Sequence, residues 1–535
     1  MARGLLNLIF LIVFAFGLIS CANRGMPSGG EKDTQPPRIL KSVPENYTTN
    51  FKNKVIKIYF DEYVKIKDIQ KQLIISPPMD NAPEISPLSS ASKYISITIK
   101  DTLQPNTTYA FNFGESIVDN NEGNPYPYYR YVFSTGDDID SLSVKGYVID
   151  ATQKQPDKFI SVMLYEMDST YTDSIVYKRK PKYVTNTLDS VTTFSIDNLK
   201  AGKYLMIALK DENSNYTFQP KYDKIGFIKQ PITVPTDSVF AIKLFKEELG
   251  FKAFKPRQVA GQKIAFGYEG NNEDVSIQML GDLPKNYKYR ITKNKDTDTL
   301  LYWYKPELKL DSTLFVVKNK KAYIDTLKHR FFELDKDSLI VKAVNAGALD
   351  FNEDFKVEAN IPFEKIDASK IHLIDKDSVT VAFTTALDSL SNTIAFKFDK
   401  TETNQYKMQV LPEAFQDFFG NVNDTLNFTL RTKSLSDYGN VRVVLKNAVY
   451  PVIVQLTNQK GEVQYEQYAT SPKPLDFLNV NPSEYLLRVI YDANENGIWD
   501  TGNYLNKIQP ERISYSPESI EVRAGWDWIE EFTLE

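Results

Sequence analysis

Short runs of alternating apolar and polar residues, separated by turn clusters, recur along most of this chain. "KVIKIYF" (54–60), "YISITIK" (94–100), "YAFNFG" (109–114) and "YRYVFSTG" (129–136) all follow a period of two. That period sends one set of side chains into a core and the other to water, so each run reads as a half-buried antiparallel strand. Clusters such as "SPPMDNAP" and "DNNEGNP" break the runs with turn residues. Aromatic residues form 13% of the chain, and their rings pack well on a pleated surface. Beyond the first twenty residues no stretch long enough for a stable helix shows a helical period. The 535 residues are too many for one core, so an all-β chain of several sandwiches, each of about 100 residues, is expected.

The chain opens "MARGLLNLIFLIVFAFGLIS", with Arg3 ahead of an uncharged apolar run. That run is short for a membrane span and has the form of a signal peptide. It ends in "LISC", and Cys21 is the only cysteine. Leu18 to Cys21 resembles the lipobox of bacterial lipoproteins, in which the cysteine is diacylated and becomes the first mature residue. The resemblance implies a lipoprotein signal peptide over 1–20, acylation at Cys21 and attachment to the lipid bilayer of the outer membrane. A solitary cysteine excludes internal disulfides and cysteine-rich metal sites. Residues 21–35, rich in Gly, Pro and polar side chains, have too little apolar surface to fold and read as a flexible tether. The opening from Cys21 to Pro37 is similar to lipoproteins of the Bacteroidota. Some of those carry an acidic cluster after the cysteine that directs surface display. Here Ala22, Asn23 and Arg24 stand in that place, which leaves both the cell surface and the periplasmic face open.

Residues 36–136 resemble the bacterial Ig-like domain first described in S-layer proteins, through "PPRILKSVPEN", "IKIYFDEYV", "LIISP", "LQPNTTYAFNF", "DNNEGNP" and "YVFSTG". That family is structural, so the resemblance implies spacing and binding and transfers no catalytic residue. The pattern returns over 341–435, where "YKMQVLPEAFQDFFGNVNDTLNFTLRT" parallels "YAFNFGESIVDNNEGNPYPYYRYVFST". In both copies an acidic residue, Asp119 or Asp417, precedes a Gly-Asn turn. A second unit also repeats. Tyr204, Asp211, Asn213 and Asn215 fall on Tyr485, Asp492, Asn494 and Asn496 at a constant offset of 281 residues, the mark of a duplicated element. Its first copy, with "VKGYVIDATQ" and "TFSIDNLKAGKY", resembles the carboxypeptidase-regulatory-like or Cna B-type sandwich, a prealbumin-like β fold. Domains are therefore expected at 142–246 and 440–535, with a further β-sandwich of no visible family at 250–340. The expected architecture is five sandwiches in a row, with polar joints near Asp137–Asp140, Lys246–Gly250 and Lys433–Gly439.

The stretch "DANENGIWDTGN" (492–503) has the spacing of a calcium loop. Side-chain oxygens of Asp492, Asn494, Asn496 and Asp500 fall at positions 1, 3, 5 and 9 of such a loop. Gly497 takes its bend, and the carbonyl of Ile498 takes its seventh position. Asn503 stands where the loop needs a bidentate Glu, so any Ca²⁺ binding is expected to be weak. The competing reading is a turn ordered by Asp and Asn side chains, which bond nearby backbone groups. No cofactor is required on either reading.

A net charge of −5 with no concentrated basic face argues against nucleic-acid partners. His329 and His372 are the only histidines and lie in strand-like runs, and no nucleophile elbow, phosphate loop or zinc-protease helix is visible. The chain therefore reads as no enzyme. Asp-Ser and Asp-Thr pairs followed by an aliphatic residue, as at Asp101, Asp189 and Asp388, resemble the O-glycosylation signal of exported Bacteroidota proteins; a turn-to-strand junction would give the same letters. Aromatic clusters around Trp303 and around Trp526 and Trp528 are expected to be mainly core, with binding of a protein or a glycan as the alternative. The functional expectation is a scaffold or accessory subunit of an envelope complex, a β-barrel assembly, export or uptake machine, acting through protein–protein contacts. A surface glycan-binding or adhesive lipoprotein is the alternative.

Overall fold

The computed structural model describes residues 32–187, 191–320 and 323–534. Cys21, the signal run and most of the tether lie outside the described residues, as does Asp189. Among the described residues the chain is all-β. Helix is confined to the single turn Ile69–Gln72 and the 3₁₀ turns Asp173–Tyr177, Ala368–Lys370 and Leu435–Asp437. The sandwiches are grouped into two compact units. One runs up to Leu142 and includes Asn198–Lys200; the other holds Ser143–Asp197 and Ala201–Glu535.

In the first unit, the long strand Val55–Ile66 pairs with Ile39–Val43, Ser92–Thr98 and Ile117–Asp119, and Glu84–Ser86 closes the far edge. The facing sheet is Ile74–Ser76, Thr108–Asn112 and Arg130–Ser134. Alternation fills the space between them: Ile56, Ile58, Ile95 and Ile97 from one sheet meet Phe111 and Phe133 from the other, all fully buried. Two polar devices fix the loops. The Tyr109 hydroxyl accepts a hydrogen bond from the Gln104 amide at 2.9 Å. The Asp119 carboxylate accepts from the amides of Asn121, Glu122, Gly123 and Asn124 at 2.7–3.0 Å, which satisfies a tight turn that no ladder reaches.

The second unit repeats these devices. Ile371–Ile374, Gln405–Val410 and Leu426–Arg431 form the sheet corresponding to Ile74–Ser76, Thr108–Asn112 and Arg130–Ser134. The Tyr406 hydroxyl accepts from the Thr401 amide at 2.7 Å, again five residues back. Asp417 accepts from the amides of Phe419 and Asn421. Elsewhere in this unit, two sandwiches share a different signature, a parallel pairing of first and last strands. Val239–Leu244 lies parallel to Leu142–Asp150, and Asp527–Thr533 parallel to Gly439–Lys446. Between them in sequence, Ile264, Phe266, Tyr302, Phe315 and Val317 build the core of the 250–340 sandwich.

Two of the expected joints are not free polar linkers. Glu247, in the Lys246–Gly250 joint, is 8% exposed, and the Lys433–Gly439 joint is tied by a capping box of Ser434 and Asp437. The Tyr438 hydroxyl adds a 2.8 Å bond to Asp350. Glu247 and Tyr438 thus reach neighbouring sandwiches, through the Tyr504 amide and the Asp350 carboxylate.

Burial opposes ionisation of Asp119, but the turn amides outweigh it and hold its pKa below the ordinary carboxylate value. A depressed pKa means that its contribution is complete above the ordinary value and is lost as pH falls through the folded one. Asp119→Ala should therefore cost about 1–3 kcal/mol at pH 7 and speed hydrogen exchange at 121–124. Unchanged exchange there would show that the carboxylate does not order the turn.

Candidate functional site

The loop after strand Ser483–Tyr491 begins as its sequence suggests. Asp492 is almost fully buried, and its two carboxylate oxygens accept from the amides of Asn496 at 3.0 Å and Gly497 at 2.8 Å. Gly497 has φ +76°, a conformation that disfavours a side chain. Burial raises the pKa of Asp492, yet the amides of Gly497, Asn496 and Glu495 with the Tyr468 hydroxyl bring it below the ordinary value. Asn494 and Asn496 each donate a side-chain amide to one oxygen of Asp500, at 2.6 and 2.7 Å. The side chains of Asn494, Asn496 and Asp500 thus converge, while Asp492 is committed to its own turn. Ile498 donates its amide to the Asn496 side chain. Among the described residues no group of three His, Cys, Asp or Glu side chains is placed to hold a metal ion.

The earlier copy shows what the motif does without the second carboxylate. Asp211 accepts from the amides of Asn213 and Tyr216, and Asn215 from Thr217. Asn213 donates to Gln219 at 2.6 Å, as Asn494 does to Asp500. A neutral amide therefore serves where the later copy has a carboxylate. Asp223 accepts from the amides of Glu212 and Gln219, and Glu511 accepts from those of Ala493 and Asp500. Asp223 and Glu511 are thus equivalent closing residues, and both escaped the sequence reading. An insertion of seven residues between Asp500 and Glu511, relative to Gln219 and Asp223, breaks the constant offset that would have paired them.

That inserted segment reaches the other copy. Tyr504 is fully buried, its ring 5.5 Å from that of Phe227 and 6.3 Å from that of Tyr177. Its amide donates to the Glu247 carboxylate at 2.5 Å, and Thr501 donates to the Lys246 carbonyl. Gly502 is required by contact: a Cβ there would lie 2.6 Å from the Phe245 ring. Lys507 pairs with Asp173 at 2.8 Å and lies over the Tyr504 ring. A second set of bonds lies further along the same seam. Arg488, 9% exposed, donates to the Gln455 side chain and to the Thr152 carbonyl, and the Tyr515 hydroxyl also donates to that carbonyl. Lys154 donates to the carbonyls of Ser516 and Pro517. The five sandwiches are therefore not a simple row, because within the second unit the 440–535 sandwich is docked on the 142–246 sandwich.

The tryptophans separate in an unexpected way. Trp303 is core, 1% exposed, with its indole N–H donated to Thr292 at 3.0 Å, so it is not a binding aromatic. Trp526 is 57% exposed and Trp528 36%, against the core expectation. Trp528 stands on the last strand, Asp527–Thr533, an edge strand of its sheet, and Trp526 just before that strand with the Arg523 guanidinium 5.4 Å over its ring. His329 is buried, and burial lowers its pKa, which favours the neutral ring.

Residues 33–135 match the bacterial Ig-like domain. No curated protein matches the chain. Among solved structures, the surface layer protein SbsC, domains 1–6, is 10% identical, with 91% of this chain and 67% of that one covered at a TM-score of 0.16. SGBP-B of a Bacteroides ovatus mixed-linkage glucan utilization locus, in complex with a mixed-linkage heptasaccharide, is 12% identical, with 83% of this chain and 99% of that one covered at a TM-score of 0.17. Likenesses at these scores carry no argument about function.

Burial raises the pKa of Glu247, and the Tyr504 amide only partly offsets it. For a carboxylate raised in the folded state, the neutral form is favoured, so docking weakens as pH rises through the ordinary value towards the folded one. Glu247→Gln keeps an acceptor for the Tyr504 amide without the buried charge and should raise the melting temperature at pH 7. Tyr504→Ala should destabilise by about 3–5 kcal/mol and open 501–510 to protease. A cleavage pattern unchanged by Tyr504→Ala would mean the segment is held by other contacts.

Proposed function

We propose that this protein is a non-enzymatic outer-membrane lipoprotein that serves as a scaffold or accessory subunit of an envelope complex. Acylated Cys21 would hold it to the bilayer, and its sandwich faces and loops would dock onto a partner protein. An outer-membrane β-barrel engaged in assembly, export or uptake is the first partner to test. The observation that carries this reading is the use made of the buried polar groups. Asp119, Asp417, Asp492 and Arg488 all bond turns or neighbouring sandwiches, which suits a body that presents surfaces in fixed geometry. No helix among the described residues is long and apolar enough to cross a membrane.

Two measurements test it. Labelled palmitate should enter the wild-type chain and not Cys21→Ser. Purification in mild detergent should bring down a barrel protein in stoichiometric amount. Palmitate labelling that survives Cys21→Ser, or purification of the chain alone, would reject the corresponding half of the proposal.

A weak calcium site at Asp492–Asp500 is a separate proposal: Asn494 and Asn496 already meet Asp500 through their side-chain N–H groups, and a bound ion would require both to turn their oxygens inward. Millimolar Ca²⁺ should raise the melting temperature of wild type and not of Asp500→Ala. Equal behaviour of the two proteins removes it.

A further inference from the structure

Two open depressions on the 440–535 sandwich share Glu484 and Ser519 in their walls, so they form one trough. One, of about 880 Å³, begins at Gln153 and Gln155 of the docked 142–246 sandwich and passes Gln459. The other, of about 960 Å³, ends on Trp526 and Trp528. The first depression takes a wall from each of the two docked sandwiches, whereas the second is lined by the 440–535 sandwich alone.

Its chemistry is specific. The side-chain amides of Gln153, Gln155 and Gln459 make no hydrogen bond among the described residues, which leaves donors and acceptors facing the same space. Charge in the lining is balanced: Lys154, Lys460 and Arg523 against Glu484, Glu518 and Glu521. Part of it is already spent, Arg523 on Glu521 at 2.8 Å and Lys154 on two carbonyls. Such a lining gives no net attraction to a polyanion or a polycation. At the far end Trp526 is 57% exposed, with the Arg523 guanidinium 5.4 Å over one side of its ring, and Trp528 is 36% exposed, with its indole N–H donated to Glu530 at 3.1 Å.

An extended peptide would bind by adding to the free strand edge beside the trough, Ile513–Val522. Pro517 stands in the middle of that strand and removes a donor from the edge. Peptide addition along Ile513–Val522 is therefore disfavoured. A pyranose ring meets both requirements of the trough, because its C–H faces lie flat on indole while its rim of hydroxyls donates to and accepts from amides and carboxylates.

We propose that this trough is a binding site for an uncharged oligosaccharide, with Trp526 and Trp528 as the stacking platform and Gln153, Gln155 and Gln459 as hydroxyl partners. The site goes beyond the role of accessory subunit and depends on neither the anchor nor the barrel partner. The chain has four tryptophans and two of them line the trough, so intrinsic fluorescence reports occupancy directly.

The test uses the purified full-length protein with cellohexaose, mannohexaose and maltohexaose, followed by fluorescence and calorimetry. At least one should bind and change the emission. Trp526→Ala with Trp528→Ala should weaken it about tenfold or more, and Gln153→Ala with Gln459→Ala about threefold or more. These side chains are exposed or at the groove surface, so an unchanged melting temperature confirms that folding is intact. Absence of binding by all three sugars overturns the proposal. So does binding that ignores the tryptophan substitutions, or a trough that takes an extended peptide or the anionic oligosaccharide of a heparin fragment in preference.

Discussion

The arrangement of the second unit depends on one buried ring. Tyr504 leaves its own sandwich on an inserted segment and is enclosed by Phe227 and Tyr177 of another, 277 and 327 residues away in sequence. Burying a ring of this size is worth several kcal/mol by apolar area alone, more than exposed ion pairs of the kind seen on the strand faces. The bond from its amide to Glu247 then fixes the register of the insertion. Further along, Arg488 is buried with its charge satisfied by neutral acceptors, an arrangement costly to disturb because a charge would be stranded. A strong apolar contact and a demanding polar one therefore lie on the same seam and hold the two copies together.

Strand alternation made the sandwiches legible, since period two is set by local geometry and survives in the fold. The core residues Ile56, Ile58, Ile95 and Ile97 are the alternate positions of the two runs first noticed. The turn acids Asp119 and Asp417 were visible for the same local reason: a carboxylate ahead of a Gly-Asn turn has amides within reach. The docking of the copies was not legible, because nothing in a loop sequence distinguishes a tyrosine that meets solvent from one that fills another domain. Trp303 and Trp528 make the same point. Each follows strand-like spacing, yet one lies in a central strand and the other on an edge, and only topology decides which is covered.

The Asp-x-Asn-x-Asn motif shows how a plausible ligand set can have another primary use. In both copies the first Asp is filled by backbone amides, and in both a later acid, Asp223 or Glu511, closes the loop from the other side. With Gln219 in the place of Asp500, the earlier loop keeps the bond from Asn213 and the closing bonds of Asp223 without that carboxylate. Ordering the loop is thus common to both copies, and any cation would be an addition in the later one.

Comparison of the copies also indicates what the duplication gained. The shared loop is a closed turn, complete in its own hydrogen bonds, so an insertion placed before its closing acid leaves the turn intact. Seven residues added there supply a ring, a lysine and a glycine that fit the sister sandwich. Docking in turn creates a surface that neither copy has alone, the end of the trough walled by Gln153 and Gln155 on one side and by Glu484 and Ser519 on the other. A stable turn served as the platform for an interface, and the interface as the platform for a groove.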